Sequence, residues 1–216
     1  MAMTFADLQV YSSDLLDDVN NSYFTLPVLK LRLNRGLKEL QKRLISANQS
    51  WYSYCVKTST VVDQANYALP DDFVEILRLE RLMQGSGATG RYQQIMPITT
   101  NQRDLTPDIS GDPFWYYIAQ NEIVLKPTPN RVVELHLEYA YLVPDMVNQA
   151  DVPDCPDQYS EYIAILATRD CLIKDGRPLA PIQSKLDQYE ILLKQAAVQR
   201  KADAPRMIVK TDSDGW

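Results

Sequence analysis

The sequence predicts an α+β fold, a helical bundle drawn from both chain ends with an antiparallel β-rich unit inserted between them. Three observations lead there. Leu26, Leu29, Leu33, Leu37, Leu40 and Leu44 recur at spacings of three and four, which places them on one stripe of a helix. Val133, Leu135, Leu137, Tyr139 and Tyr141 alternate with Glu134, His136, Glu138 and Ala140, the period of two expected of a half-buried strand. Helical spacing then returns after Pro156, so the order is helices, strands, helices. The expected divisions are 1–49 for the N-terminal helices, 50–144 for the β-rich insertion, 145–203 for the C-terminal helices and 204–216 for an extended tail.

In chain order, Thr4 with Asp7 three residues on is a helix-start signature, followed by Phe5, Leu8, Leu15 and Leu16 as apolar contacts. Asp7, Asp14, Asp17 and Asp18 make this segment acidic, and the Asn-Asn-Ser run at Asn21 ends it. Thr25 caps the leucine helix, with Pro27 in its first turn. Arg32, Arg35, Lys38, Lys42 and Arg43 fall largely opposite the leucines. Trp51 to Val62 is aromatic and β-branched and reads as a strand. Tyr67 to Phe73 is a turn into the strand Val74–Met83. Gly85 to Gly90 is a loop, Arg91 to Ile98 a return strand broken by Pro97, and Asn101 to Pro113 a long polar connection. Phe114 to Ile118 is a strand leading into a hairpin over Ile123–Pro144, whose prolines at 127 and 129 cannot donate to a ladder and force a turn. Asp145 to Pro156 is an extended acidic linker. A helix over 157–174 is apolar on more than one side, Gly176 ends it, and a last helix runs from about Pro181 to about Arg200 with Ile182, Leu186, Tyr189, Leu193 and Ala196 as its stripe.

Composition bounds what such a chain does. At 216 residues, 45% hydrophobic and 23% charged, it is able to bury a core. No apolar run approaches the roughly 20 residues of a membrane span, and the opening residues lack the basic and apolar regions of a signal peptide. Cys55, Cys155 and Cys171 are odd in number and without metal-ligand spacing, the pattern of a reduced, intracellular site of synthesis. A net charge of −6 argues against a protein whose main task is to grip nucleic acid.

Few residues suggest chemistry. Gly85-Ser86-Gly87-Ala88-Thr89-Gly90 matches G-x-G-x-x-G, but Arg91 to Pro97 makes a poor helix start, so a hairpin tip competes with a nucleotide-binding turn. His136 is the sole histidine and sits on the polar face of its strand, which leaves no His-based triad or multi-His metal site. Asp145, Asp151, Asp154 and Asp157 lack EF-hand spacing and read as a solvated linker. Cys55 and Cys171 stand in apolar contexts, as packing residues do. The expectation is therefore no catalytic residue, no cofactor and no metal. The basic helix face is either a solvated surface or a contact for something acidic: the Asp-rich first segment, a neighbouring subunit or DNA. Arg35, Lys38 and Lys42 are its candidate residues. Gly85, Gly87 and Gly90 are candidates for a loop reaching a neighbouring subunit. In the tail, Arg206, Met207, Ile208, Val209 and Trp216 combine a β-prone run with a terminal indole, a candidate docking arm.

The phrases Tyr-Ala-Leu-Pro-Asp-Asp-Phe, Ile-Val-Leu-Lys-Pro-Thr-Pro and Leu-His-Leu-Glu-Tyr-Ala-Tyr-Leu-Val-Pro, then a Pro-Asp linker and two terminal helices, carry a resemblance. Over roughly Phe5 to Arg200 the chain resembles the head-to-tail adaptor proteins of tailed bacteriophages, in particular the adaptors, or gatekeeper-ring proteins, of short-tailed phages. The resemblance implies a helical bundle bearing a β-rich insertion. It implies a structural virion protein of the head-tail neck, made in the host cytoplasm, that forms a dodecameric ring below the portal protein. A tail nozzle or tube protein lies on the other side, and genomic DNA passes through a central channel without sequence recognition during ejection. In that family the C-terminal segment commonly engages the portal. Another neck component, such as a head-completion or tail-terminator protein, and a nucleotide-binding enzyme using Gly85–Gly90 remain the alternatives.

Overall fold

A computed structural model describes residues 3–47, 49–84, 90–105 and 109–203. The fold is α+β, as expected. It divides into two compact units, one of residues 1–48 with 145–216 and one of Gln49–Pro144.

The first unit is helical. Helix α1 (Phe5–Leu15) starts at a reciprocal cap, in which the Thr4 hydroxyl accepts from the Asp7 N–H while the Asp7 carboxylate accepts from the Thr4 N–H. The chain leaves it through Asp17 and Asn21, both at positive φ. Helix α2 (Leu26–Ala47) buries Leu29, Leu33, Leu37, Leu40 and Leu44 to 1% exposure or less. Leu26, the first residue of the helix, departs from the stripe and stays 43% exposed.

Helix α4 (Ser160–Asp175), preceded by a 3₁₀ turn at Asp157–Tyr159, is the centre of this unit. It packs against α1, α2 and the last helix, α5 (Ala180–Asp203), and Tyr162 to Ala167 are all fully buried. An apolar surface on every side is what a helix with three helical neighbours requires. Gly176, at φ 68, closes it in the left-handed conformation that favours glycine. α2 comes close to α4 at Gly36, where a Cβ would stand 2.8 Å from the Ile163 carbonyl oxygen.

The segment expected as a solvated linker is instead docked. Asp151 accepts backbone N–H bonds from Val147 and Asn148 at 2.7 and 2.8 Å, which holds its carboxyl below the usual carboxylate range. Its carbonyl and that of Gln149 accept the Phe5 and Ala6 N–H groups, orphan donors of the first turn of α1, and Met146 is buried. Asp151 shapes a turn whose carbonyls satisfy the start of α1.

The second unit carries two four-stranded sheets. The first has the order β1 (Ser53–Ser59), β10 (Glu134–Tyr141), β3 (Phe73–Gln84), β4 (Arg91–Gln94), antiparallel throughout. The second has the order β2 (Asn66–Ala68), β8 (Glu122–Lys126), β7 (Trp115–Ala119), β5 (Met96–Pro97), where only the short β5–β7 pairing is parallel. A small parallel bridge joins β6 (Ser110–Gly111) to β9 (Thr128–Pro129). The hairpin expected over Ile123–Pro144 does not form. β8 and β10 lie in different sheets, each with both edges already occupied, and the proline-rich stretch between them carries the chain across.

The alternation read in β10 holds, with Val133, Leu135, Leu137 and Tyr139 buried. Leu135, Leu137 and Tyr139 join Leu69, Leu79, Ile95, Tyr116, Ile123 and Leu125 in one apolar cluster. Ala140, placed on the polar face, is also fully buried. The long connection after Ile98 contains a six-residue helix, α3 (Thr100–Leu105). Cys55, expected as a packing residue, is exposed because β1 is an edge strand with one open face, whereas Cys171 is buried.

Among the described residues of the second unit, Arg81 is a buried charge. Arg81 on β3 is 1% exposed and lies under the Phe114 ring, 4.5 Å from its centroid. Its Nη2 donates to Gln93 at 2.8 Å, and its Nη1 lies 2.8 Å from an Asp112 oxygen in a close ion contact without hydrogen-bond alignment. Arg131 grips the same carboxylate at 2.8 Å through two nitrogens, and chiefly through that bond holds Asp112 below its ordinary pKa.

Candidate functional site

The basic face of α2 is the feature on which charge, exposure and a surface hollow converge. Leu31, Asn34, Arg35, Lys38, Glu39 and Lys42, with Asp145, line a hollow of about 490 Å³. The helix presents these side chains because its leucines are committed to α4 on the other side.

Much of the positive charge is already answered within the chain. Lys38 lies 2.7 Å from Asp145, and Arg35 and Arg32 lie 3.5 and 3.7 Å from Asp170. Glu39 accepts two bonds from Arg169, at 3.0 and 2.7 Å, and one from Arg43 at 2.8 Å. The Arg169 bonds, opposed by partial burial and aided by Arg43, hold the Glu39 carboxyl down at about 2. Arg43 also donates to the Tyr162 hydroxyl at 2.8 Å and to Glu190 at 3.2 Å, which ties α2 to α4 and α5.

The three residues singled out in the sequence therefore differ. Lys42 is exposed and has no ion pair among the described residues. Arg35, with 67% of its side chain exposed, has only a distant partner, and Lys38 shares its charge with an exposed carboxylate. Such exposed pairs hold weakly and exchange readily for a better partner.

Of the other sequence candidates, Gly90 and His136 belong to the second unit. Gly90 is followed directly by β4, which pairs back on β3, so the strand–turn–helix of a dinucleotide site is not formed there. Gly85 and Gly87 lie outside the described residues, as do Arg206, Met207, Ile208, Val209 and Trp216. His136 stacks on Tyr92 with ring centroids 4.1 Å apart and bonds Glu134 at 2.6 Å, a satisfied sheet residue. Among the described residues no group of three or more His, Cys, Asp or Glu side chains is placed to hold a metal, and no helix is long and apolar enough to cross a membrane.

Sequence reasoning missed a polar cluster joining three helices. Glu161 on α4 accepts from the hydroxyls of Tyr11 on α1 and Tyr189 on α5, and Lys185 donates to Tyr11 at 2.5 Å. Burial and the Glu161 carboxylate raise the pKa of both tyrosines. It missed also that Val10 and Leu31 lie exposed on polar helix faces. The signal was present, since both fall off the buried stripe of their helix.

Residues 3–209 match the family model described as SU10 adaptor protein. No curated protein matches the chain.

Proposed function

This chain belongs to the SU10 adaptor protein family, and is thus a phage adaptor protein and a structural component of the virion. On that premise we propose that it is the ring-forming adaptor of a short-tailed phage, seated between the portal protein and a tail nozzle or tube protein. Its copies, a dozen in the resembled family, surround the channel through which the genome leaves, and the chain performs no catalysis. The observation that carries this reading is the family match over residues 3–209, which spans both compact units. The surface of α2 supports it. Ion pairs at Asp145 and Asp170 leave Lys42 and the outer part of Arg35 for an acidic neighbour or for DNA held without base recognition. In this reading the tail residues Arg206 to Val209 and Trp216 engage the portal, and the loop containing Gly85, Gly87 and Gly90 reaches a neighbouring subunit or the tail.

The test is the mass of the purified chain, alone and mixed with the phage's portal ring, followed by imaging of any complex. A discrete multi-copy ring on the portal, lost or weakened when Arg206–Trp216 is deleted, is the expected result. A chain that joins neither itself nor the portal, or that binds NAD or ATP through Gly85–Gly90, overturns the proposal.

A further inference from the structure

Two faces of the helical unit carry exposed aliphatic side chains flanked by charge, anionic at Asp7 and Asp14 on α1 and mainly cationic on α2, where Glu39 and Asp145 also line the hollow. On α1, Asp7, Val10 and Asp14 recur at three and four residues, and with Tyr11 and Val19 they line a hollow of about 310 Å³. A second hollow, of about 210 Å³, shares Val10 and Val19 and adds Leu26 and Gln9. Val10 and Val19 are each 70% exposed. Gln9 is 4% exposed, and its side-chain nitrogen is a buried donor with no hydrogen-bond partner among the described residues. On α2, Leu31 is 67% exposed and heads the stripe Leu31, Arg35, Lys38, Lys42, at helical spacings of four and three.

We propose that these two faces are the two halves of the contact between successive copies of this chain. Leu31 of one copy seats in the Val10–Val19 hollow of the next, with Arg35, Lys38 and Lys42 set against Asp7, Asp14 and Asp17. The inference rests on the ring reading above and names the surfaces that make the ring. Three features favour a second copy as the occupant. The charges are complementary: beside the internally paired Arg35 and Lys38, the α2 stripe offers Lys42, which has no ion pair among the described residues, and the α1 face offers the exposed carboxylates of Asp14 and Asp17. Each face has an aliphatic centre and a charged rim, the layout of a protein interface. The two patches share no residue, so the contact is head-to-tail, the type that closes into a ring when its rotation permits. DNA would meet the cations of α2 but would leave the acidic α1 face unanswered and set Leu31 against phosphate.

The test uses Val10→Asp and Leu31→Asp in the full chain. Both side chains are largely exposed, so the helical content and melting temperature of each variant should equal those of the parent. Sedimentation velocity across a concentration series should show the parent assembling into multi-copy species, more weakly as salt is raised. Each variant alone should self-associate at least about tenfold more weakly. An equimolar mixture of the two should stop at a two-chain species, because one retains only its α2 face and the other only its α1 face. If both variants assemble as the parent does, the contact lies elsewhere while the ring reading stands. A parent that stays monomeric at every concentration and beside portal rings overturns both. If Arg35→Gln with Lys42→Gln weakens DNA retention and leaves assembly untouched, the α2 face belongs to DNA and the inference is wrong.

Discussion

At the scale of single residues, two carboxylates hold arginines in place, and each has a measurable consequence. Glu39 has its pKa depressed to about 2 from an ordinary 4.5, chiefly by Arg169. A depressed carboxylate contributes stability that is present above 4.5 and is lost as pH falls through 4.5 toward 2. Because the group is partly solvated, we expect about 1–2 kcal/mol at neutral pH, well under what the full shift would give. In urea unfolding at a series of pH values, the difference between the parent and Glu39→Gln should shrink across that window; a gap that stays constant down to acid pH refutes the assignment. Asp112 is the counter-charge of an arginine that is 1% exposed. Asp112→Ala strands that cation in the β unit and should cost roughly 3–5 kcal/mol. Arg131, which binds the same carboxylate from the surface, makes the control: Arg131→Gln should cost about 1 kcal/mol or less.

At the scale of elements, the leucine stripe of α2 is a graded surface. Leu37 is 1% exposed and Leu26 is 43% exposed. Leu37→Ala should cost about 2–5 kcal/mol and Leu26→Ala under about 1 kcal/mol, by chemical denaturation. Equal costs would show that Leu26 is as deeply packed as Leu37. The same helix shows what was legible in the sequence. Period alone identified α2, the strand Glu134–Tyr141 and the last two helices, because a buried face stamps its spacing on the chain. Period does not say which strands are neighbours. β8 and β10 follow each other along the chain, yet each finds its partners elsewhere, so a local hairpin was a fair reading of Ile123–Pro144 and an incorrect one. Short polar segments misled in a similar way. The aspartates near Asp151 read as solvated linker, since their partners are backbone N–H groups that no side-chain pattern announces. At the candidate site the cations of α2 were evident, but apart from Glu39, which meets Arg43 one turn away, the carboxylates that answer them, Asp145, Asp170 and Glu190, are distant in sequence.

At the scale of the whole molecule, two compact units, the second with an apolar cluster of its own, predict two unfolding steps. Scanning calorimetry should resolve two transitions, with Leu37→Ala lowering one and Asp112→Ala the other; a single transition moved equally by both would show one cooperative unit. The interleaving of these units also sets a timetable for birth on the ribosome. α2 is finished at Ala47, but α4, the helix that covers its leucines, is complete only at Asp175. At ordinary bacterial translation rates that interval is roughly 6–25 s. Throughout it, Leu29 to Leu44 wait uncovered while the whole β unit emerges and closes. The nascent chain thus carries an oily helix ahead of its partner for longer than most small domains take to fold, and it is during this wait that a chaperone would have most to protect.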